Sequence, residues 1–242
     1  MWPKRQKPLA SRIAERRFTD MAALQSAAVE AISAAILAGV AARGTASLAL
    51  SGGTTPVPIY EALSHLDLPW SQVQLTLTDE RWVPVDDPAS NEAMVRRTLL
   101  QGPAAAARFT GLKCNTETPE AAEVQMDGAL RTLAQPFDLV LLGMGDDAHT
   151  ASLFPGGIGL EAAMDMFGPL KVRAVRPALE GPARLSLSLP ALLQSRQIIL
   201  LLKGASKWAV YRDALNDGPV LEAPIRGILH QNQVPVAVYW AP

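Results

Sequence analysis

The fold class is indicated by one segment, Ala46-Ser47-Leu48-Ala49-Leu50-Ser51-Gly52-Gly53-Thr54-Thr55-Pro56. Its first five residues form an apolar run with the length of a buried strand, and a helix is predicted directly after it, over residues 58–65. A short strand that passes through a glycine-containing turn into a helix is the building unit of parallel α/β sheets. This stretch therefore predicts an α/β fold.

The same alternation continues on both sides of this stretch. A long helix is predicted between an N-cap at Asp20 and a stop at Gly44, because Val29, Ile32, Ile36 and Val40 recur at helical spacing. Further strands are predicted at 72–78, 137–142, 184–189, 198–202 and 234–239, with helices at 91–100, 120–134 and around Trp208. The whole pattern predicts a mostly parallel, Rossmann-like sheet flanked by helices, in a single domain over residues 1–242. Pro235 predicts that the last strand is an edge strand.

Composition narrows the function classes. Of 242 residues, 49% are hydrophobic and 19% are charged, which excludes a disordered chain. The net charge of −1 argues against a nucleic-acid partner. Cys114 is the only cysteine, so an internal disulfide and a multi-cysteine metal site are excluded, and a reducing cytoplasm is the expected compartment.

The N-terminal segment is basic. Its first 17 residues carry six basic side chains (Lys4, Arg5, Lys7, Arg12, Arg16, Arg17) against Glu15. The apolar segment that follows resembles a signal peptide, but Asp20 and Glu30 interrupt it. The longest apolar run, residues 31–42, is shorter than the ~20 residues of a membrane span. We therefore expect no membrane partner, and we interpret residues 1–18 as a basic arm or a first strand.

Polar residues follow three of the predicted strands, at the sheet edge where α/β proteins bind ligands. The first group is Ser51, Gly52, Gly53, Thr54 and Thr55, whose hydroxyls and backbone N–H groups next to a helix start favour an anion such as phosphate. An ordinary strand-to-helix turn is the alternative. The second group is Asp79-Glu80-Arg81, which offers a carboxylate base and an oxyanion partner, or else a solvated ion-pair turn.

The third group is Gly143-Met144-Gly145-Asp146-Asp147-Ala148-His149-Thr150, after the most apolar strand. A histidine two residues after a carboxylate suits general acid–base catalysis. The segment also fits a loose dinucleotide-binding pattern, which we discount because Pro155-Gly156-Gly157 interrupts the helix that pattern requires. His65 and His230 are expected at the surface, and Cys114 has no catalytic base near it in sequence. Motifs of serine and zinc hydrolases are absent from the sequence.

Taken together, three segments closely resemble the 6-phosphogluconolactonase family: 50–56; Asp79-Glu80-Arg81-Trp82-Val83-Pro84 with Ser90-Asn91; and Leu142-Gly143-Met144-Gly145 with His149-Thr150-Ala151-Ser152-Leu153-Phe154-Pro155-Gly156. The resemblance implies hydrolysis of 6-phospho-D-glucono-1,5-lactone to 6-phospho-D-gluconate in the oxidative pentose phosphate pathway. It also implies the fold of the glucosamine-6-phosphate deaminases and no metal or organic cofactor. A monomer or small homo-oligomer with a small-molecule substrate is expected.

The resemblance also implies roles for single residues. His149 would be the general base, and Asp147 would orient it. Arg81 would stabilise the oxyanion or orient the ring, and Asp79 would occupy the position of a catalytic carboxylate of the deaminases. The loop 51–55 with Lys207 and Arg184 would hold the phosphate, and Asn91 would contact the substrate.

One position departs from the family pattern, in which glycine usually precedes the histidine. Ala148 occupies that position here. We expect an ordinary negative φ at Ala148, because a natural chain rarely keeps a strained alanine where glycine is one mutation away.

Two alternatives remain open. Glucosamine-6-phosphate deaminases carry a glutamate next to an asparagine where this chain has Phe154 and Leu153, and apolar side chains relay no proton. A non-catalytic sugar-phosphate sensor would need a DNA-binding module, for which the N-terminal segment has no room.

Overall fold

The computed structural model describes residues 13–178 and 180–242. Strands and helices alternate along most of this chain, as the sequence predicts. In chain order the elements are β1 (Ile13–Arg17), α1 (Met21–Arg43), β2 (Ala46–Leu50), α2 (Val57–Ser64), β3 (Val73–Leu77), β4 (Asp79–Arg81), α3 (Asn91–Thr98), β5 (Arg108–Thr110), α4 (Pro119–Leu130), β6 (Leu139–Gly143), α5 (Leu160–Met164), β7 (Val172–Val175), β8 (Arg184–Leu187), α6 (Leu189–Leu193), β9 (Ile198–Lys203), α7 (Gly204–Ala214), α8 (Arg226–Leu229) and β10 (Val236–Ala241).

Seven of these strands form one parallel sheet in the order β1-β10-β9-β6-β2-β3-β5. Its centre is β6, where Leu48 of β2 pairs with Leu139, and Val140 pairs with Ile198 of β9. The central strands β2, β6 and β9 are buried on both faces, which explains their largely apolar sequences. The mostly parallel α/β fold is confirmed, and a three-stranded antiparallel sheet, β4-β8-β7, stands beside it.

Helix α1 follows its sequence signals closely. The Asp20 carboxylate accepts a hydrogen bond from the Ala23 amide at its N-terminus, and Gly44 ends it with a φ of +73°. Leu24, Ile32 and other apolar residues of one face are fully buried against the sheet. The helix is long and apolar enough to cross a membrane, but its buried face gives it the role of a core helix.

One predicted strand is divided between two sheets in the structure. The predicted strand 72–78 is split, because β3 ends at Leu77 and β4 begins at Asp79 in the second sheet. Thr78 joins the two sheets: its amide donates to the Leu50 carbonyl, and its carbonyl accepts from the Leu187 amide.

The prediction that Pro235 marks an edge strand is wrong. Strand β10 lies between β1 and β9, and Pro235 precedes it, with its carbonyl accepting from the Ile198 amide. The edge strand on this side is β1, so residues 13–17 of the basic segment form a first strand. Lys4, Arg5, Lys7 and Arg12 lie outside the described residues.

Candidate active site at the carboxyl ends of the strands

A cavity of about 190 Å³ lies at the carboxyl ends of the neighbouring strands β9, β6, β2 and β3. The three polar groups predicted from sequence meet here, because parallel strands end at the same edge of the sheet. The cavity is lined by Ser51, Gly52, Gly53, Thr78, Asp79, Arg81, Asn91, Gly143, Met144, Gly145, His149, Ala151 and Lys207. Four predicted site residues do not line it: Thr54, Thr55, Asp147 and Arg184.

The two glycines of the loop after β2 have different surroundings. A side chain at Gly52 would collide with the carboxamide of Asn91, so this glycine makes room for a protein side chain. Gly53 has a φ of +90° and faces open space, which leaves its backbone accessible. The buried Tyr60 hydroxyl donates to the Ser51 carbonyl at 2.8 Å and fixes the start of the loop.

His149 and Asp147 form a hydrogen-bonded pair at the end of β6. Nδ1 of His149 lies 2.5 Å from Oδ1 of Asp147, and the His149 amide donates to the same oxygen at 3.2 Å. A side chain at Gly145 would collide with both residues, so this glycine leaves the space in which the pair forms. With Nδ1–H directed at the carboxylate, Nε2 is the ring nitrogen left to accept a proton.

The prediction of a negative φ at Ala148 is wrong, since its φ is +64°. Neighbouring contacts hold this conformation: the Ala148 amide donates to the Gly145 carbonyl, and the Ala148 carbonyl accepts from the Ile225 amide at 3.0 Å. Ala151 also has a positive φ, of +49°. Two non-glycine residues in a strained conformation therefore flank His149, as is common at functional sites.

Asp79 is held by a residue that the sequence reasoning missed. Oγ of the fully buried Ser152 donates to Oδ2 of Asp79 at 2.5 Å, and the Ser152 amide donates to Oγ of Ser186 at 3.2 Å. Ser152 belongs to the segment that carried the family resemblance, so that segment was the signal that could have identified it. Asn91 also serves Asp79, because its Nδ2 donates to the Asp79 carbonyl at 2.8 Å.

Two cationic side chains reach the cavity. Arg81 donates from Nη1 to the Ala89 carbonyl at 2.5 Å, while its buried Nε has no hydrogen-bond partner among the described residues. Lys207 lies in the first turn of α7, and this turn is tied to the His149 loop by a 2.9 Å hydrogen bond from Ser206 to Asp146. The site therefore combines a base, a carboxylate and two cations around one cavity.

Arg184 stands beside the cavity rather than in it. It faces Arg81 across the β4–β8 pair, and its guanidinium carbon lies 5.9 Å from the centre of the Phe154 ring. Burial, followed by the like charge of Arg81, lowers the pKa of Arg184. The same Phe154 ring also packs on the imidazole of His149, with the ring centroids 4.6 Å apart.

The remaining candidates lie away from the site. His65 is exposed as expected, and His230 is partly exposed, with Nε2 at 2.8 Å from the Ala214 carbonyl. Cys114 is a half-buried free thiol. Over residues 13–178 and 180–242, no three His, Cys, Asp or Glu side chains come together as they would around a metal ion.

Comparison with known proteins gives one consistent result. The model of the family described as "Glucosamine-6-phosphate isomerases/6-phosphogluconolactonase" matches residues 19–240. The chain is 41% identical to the 6-phosphogluconolactonase of Rhizobium meliloti (strain 1021), over 93% of this chain and 97% of that protein. It is 39% identical to the 6-phosphogluconolactonase of Pseudomonas putida, over 97% and 95%.

Solved structures agree with the sequence relatives. A 6-phosphogluconolactonase from Shewanella baltica OS155 superposes with a TM-score of 0.92 and 41% identity, covering 95% of this chain and 98% of that one. A monomeric glucosamine-6-phosphate deaminase shares the fold at a TM-score of 0.77 and 19% identity, covering 93% and 97%. The shared fold that the sequence resemblance implied is confirmed.

Proposed function

The chain belongs to the family of glucosamine-6-phosphate isomerases and 6-phosphogluconolactonases, and from that premise we propose that it hydrolyses 6-phospho-D-glucono-1,5-lactone to 6-phospho-D-gluconate, a step of the oxidative pentose phosphate pathway. The observation that carries the proposal is the His149–Asp147 pair in a cavity that also holds Arg81 and Lys207. A base beside two cations suits water attack on a phosphorylated ester.

The proposed mechanism begins at His149. Its Nε2 takes a proton from a water molecule while the water oxygen bonds to the lactone carbonyl carbon. Asp147, fixed at Nδ1, stabilises the imidazolium that forms. The carbonyl oxygen becomes an oxyanion, and the guanidinium of Arg81, which lines the cavity, donates to it. When the tetrahedral intermediate collapses, the ring C–O bond breaks, and the released oxygen takes the proton from His149. No step requires a metal or organic cofactor.

The phosphate group is held at the other side of the cavity in this proposal. Lys207 pairs with it, and the Ser51 hydroxyl and the accessible backbone of Gly53 donate hydrogen bonds. Arg184 contributes long-range positive charge from its place beside the cavity. Thr54 and Thr55 shape the turn without contacting substrate. We assign to Asp79, fixed by Ser152, the binding of a sugar hydroxyl.

The structure offers less support for the two alternatives. The positions of the deaminase glutamate and asparagine are taken by Phe154, which packs on His149, and by the fully buried Leu153. A non-catalytic sensor has no need of an oriented His149–Asp147 pair. We further propose that the enzyme is cytoplasmic and acts as a monomer or small homo-oligomer in a single domain.

A coupled assay tests the proposed function. Glucose-6-phosphate dehydrogenase generates the lactone, 6-phosphogluconate dehydrogenase reports the product, and spontaneous hydrolysis is subtracted from the rate. The expected result is a rate that increases with enzyme concentration and is lost in His149→Ala. A rate no greater than spontaneous hydrolysis, or release of ammonia from glucosamine 6-phosphate, would instead reject the lactonase assignment.

A further inference from the structure

Glu80 is the member of the Asp79-Glu80-Arg81 motif that does not line the cavity. Its side chain is almost completely buried, with an exposed fraction of 1% for the residue. The carboxylate accepts four hydrogen bonds: Oε1 from the amides of Arg81 and Asn91 at 2.7 and 2.8 Å, and Oε2 from the Glu92 amide and the Ser90 hydroxyl at 2.7 and 3.0 Å. All four donors are neutral groups.

These four donors come from both ends of one loop, residues 82–89. Arg81 stands where the chain enters the loop, and Ser90, Asn91 and Glu92 stand where the chain leaves it and begins α3. The loop is closed a second time by Arg81, whose Nη1 donates to the Ala89 carbonyl. The Glu80 carboxylate thus binds the amides of Arg81 and Asn91 directly, and Asn91 in turn donates to the Asp79 carbonyl. All three of these residues line the cavity.

Stability alone does not explain a charged group at this position. Helix α3 already has a cap, since Oγ of Ser90 accepts from the Ala93 amide. Burial raises the pKa of Glu80 even though the four hydrogen bonds act in the opposite direction. The folded protein therefore carries a cost for the ionised carboxylate at neutral pH, a pattern found where a group serves function.

We propose that Glu80 is a positioning residue, which holds both ends of the 82–89 loop and so directs the Arg81 side chain into the cavity. The inference rests on the proposed function, because the effect of Glu80 on catalysis runs through the contact of Arg81 with the oxyanion. Glu80 itself touches no reacting atom.

The test compares Glu80→Gln with wild type in the lactone assay. A glutamine keeps the shape, but it turns one acceptor oxygen into an NH₂ donor that faces N–H groups, so one end of the loop is released. We expect kcat to fall on the order of 10²-fold with KM nearly unchanged, the signature of a misplaced group that acts in the transition state. Glu80→Asp, which keeps the charge, should recover part of the loss.

A second background separates positioning from a general effect on the fold. In Arg81→Ala, adding Glu80→Gln should cost less than about tenfold more in kcat, because the two residues act through one contact. Glu92→Gln is the matched control: it removes a buried carboxylate of α3 that pairs with Arg96, at 2.8 Å, away from the cavity. This control should lose stability and keep the wild-type kcat.

Three results would overturn the inference. The first is a wild-type kcat in Glu80→Gln. The second is a fall in kcat on adding Glu80→Gln to Arg81→Ala that is as large as in wild type. The third is failure of both Glu80 variants to fold while Glu92→Gln folds, which would make Glu80 a determinant of folding only. A wild-type protein without lactonase activity would instead reject the proposed function, so the two failures are distinguishable.

Discussion

Two buried carboxylates at opposite ends of the parallel sheet are satisfied in different ways. Asp138, just before β6 at the amino ends of the strands, binds two arginines, with Arg43 at 2.6 Å and Arg196 at 3.5 Å, and accepts from the Ser47 amide. Glu80, at the carboxyl ends, accepts hydrogen bonds only from neutral groups among the described residues. At the amino end the charge is neutralised and the contacts stabilise the fold. At the carboxyl end, no cation from residues 13–178 or 180–242 contacts the charge, which lies beside the cavity.

The largest expected effect tests whether the carboxyl end carries the chemistry. Replacing His149 by alanine should lower kcat by about 10²–10⁴-fold, the usual contribution of general base catalysis, with little change in melting temperature because the side chain is partly exposed. Steady-state kinetics and thermal melts of the same preparation measure both. A variant with near-normal kcat would remove His149 as the base.

The matching experiment at the amino end should give the opposite result. Asp138→Ala leaves Arg43 partly buried without its carboxylate, so we expect the free energy of unfolding to fall by about 3 kcal/mol. The kcat at a temperature where the variant is folded should equal that of wild type. Urea unfolding and the lactone assay check this pair of outcomes. A large loss of kcat would contradict the division between the two ends.

The next largest effect is expected at Lys207, on the phosphate side of the cavity. A phosphate contact exists in both the ground state and the transition state, so Lys207→Ala should raise KM about tenfold and change kcat little. Inhibition by inorganic phosphate should weaken in parallel. If both KM and the phosphate inhibition constant stay at their wild-type values, Lys207 lies outside the phosphate site.

Backbone strain at the carboxyl end predicts an unusual response to glycine. Ala148→Gly removes a left-handed strain of about 1–2 kcal/mol. It also loses a buried methyl group, at about 0.8 kcal/mol, and the greater entropy of glycine stabilises the unfolded chain by about 0.4–1 kcal/mol, so the free energy of unfolding should stay close to that of wild type. The control is Ala28→Gly in α1, which loses a similarly buried methyl group without relieving strain and should be destabilised by about 1 kcal/mol. Equal destabilisation of both variants, measured by urea unfolding, would disprove strain at Ala148.

The smallest expected effect concerns pH. Because the pKa of Glu80 is raised in the folded state above its ordinary value of 4.5, the folded protein binds this proton more tightly than the unfolded chain. Stability from this group is therefore gained as pH falls from the raised pKa toward 4.5. As the pH falls through this range, the melting temperature of wild type minus that of Glu80→Gln should increase. If this difference in melting temperature stays flat or decreases as the pH falls, the pKa of Glu80 is not raised in the folded protein.

The parts of the fold that the sequence predicts are those with local signals. The β2–α2 unit, the cap at Asp20 and the apolar strand β6 could each be located from neighbouring residues, and the loop containing His149 followed from its place after that strand. What the sequence did not predict depends on distant partners. The break at Thr78 arises because Leu187, over a hundred residues later, pairs with it. The positive φ of Ala148 is held by the hydrogen bond from the Ile225 amide, and the role of Ser152 depends on its hydrogen bond to Asp79, which is distant in sequence.

Strand β1 has a consequence for the order in which the chain folds. Its partner is β10, and the hydrogen bond from Arg16 to Tyr239 joins residues 223 positions apart. During synthesis β10 leaves the ribosome after the other described strands, so until then β9 has an open edge and β1 has no ladder to join. Contacts of such long range slow folding and expose unpaired backbone while it proceeds. The apolar Ile198–Lys203 strand therefore keeps an unpaired edge, where backbone of another chain can pair, until β10 has been made.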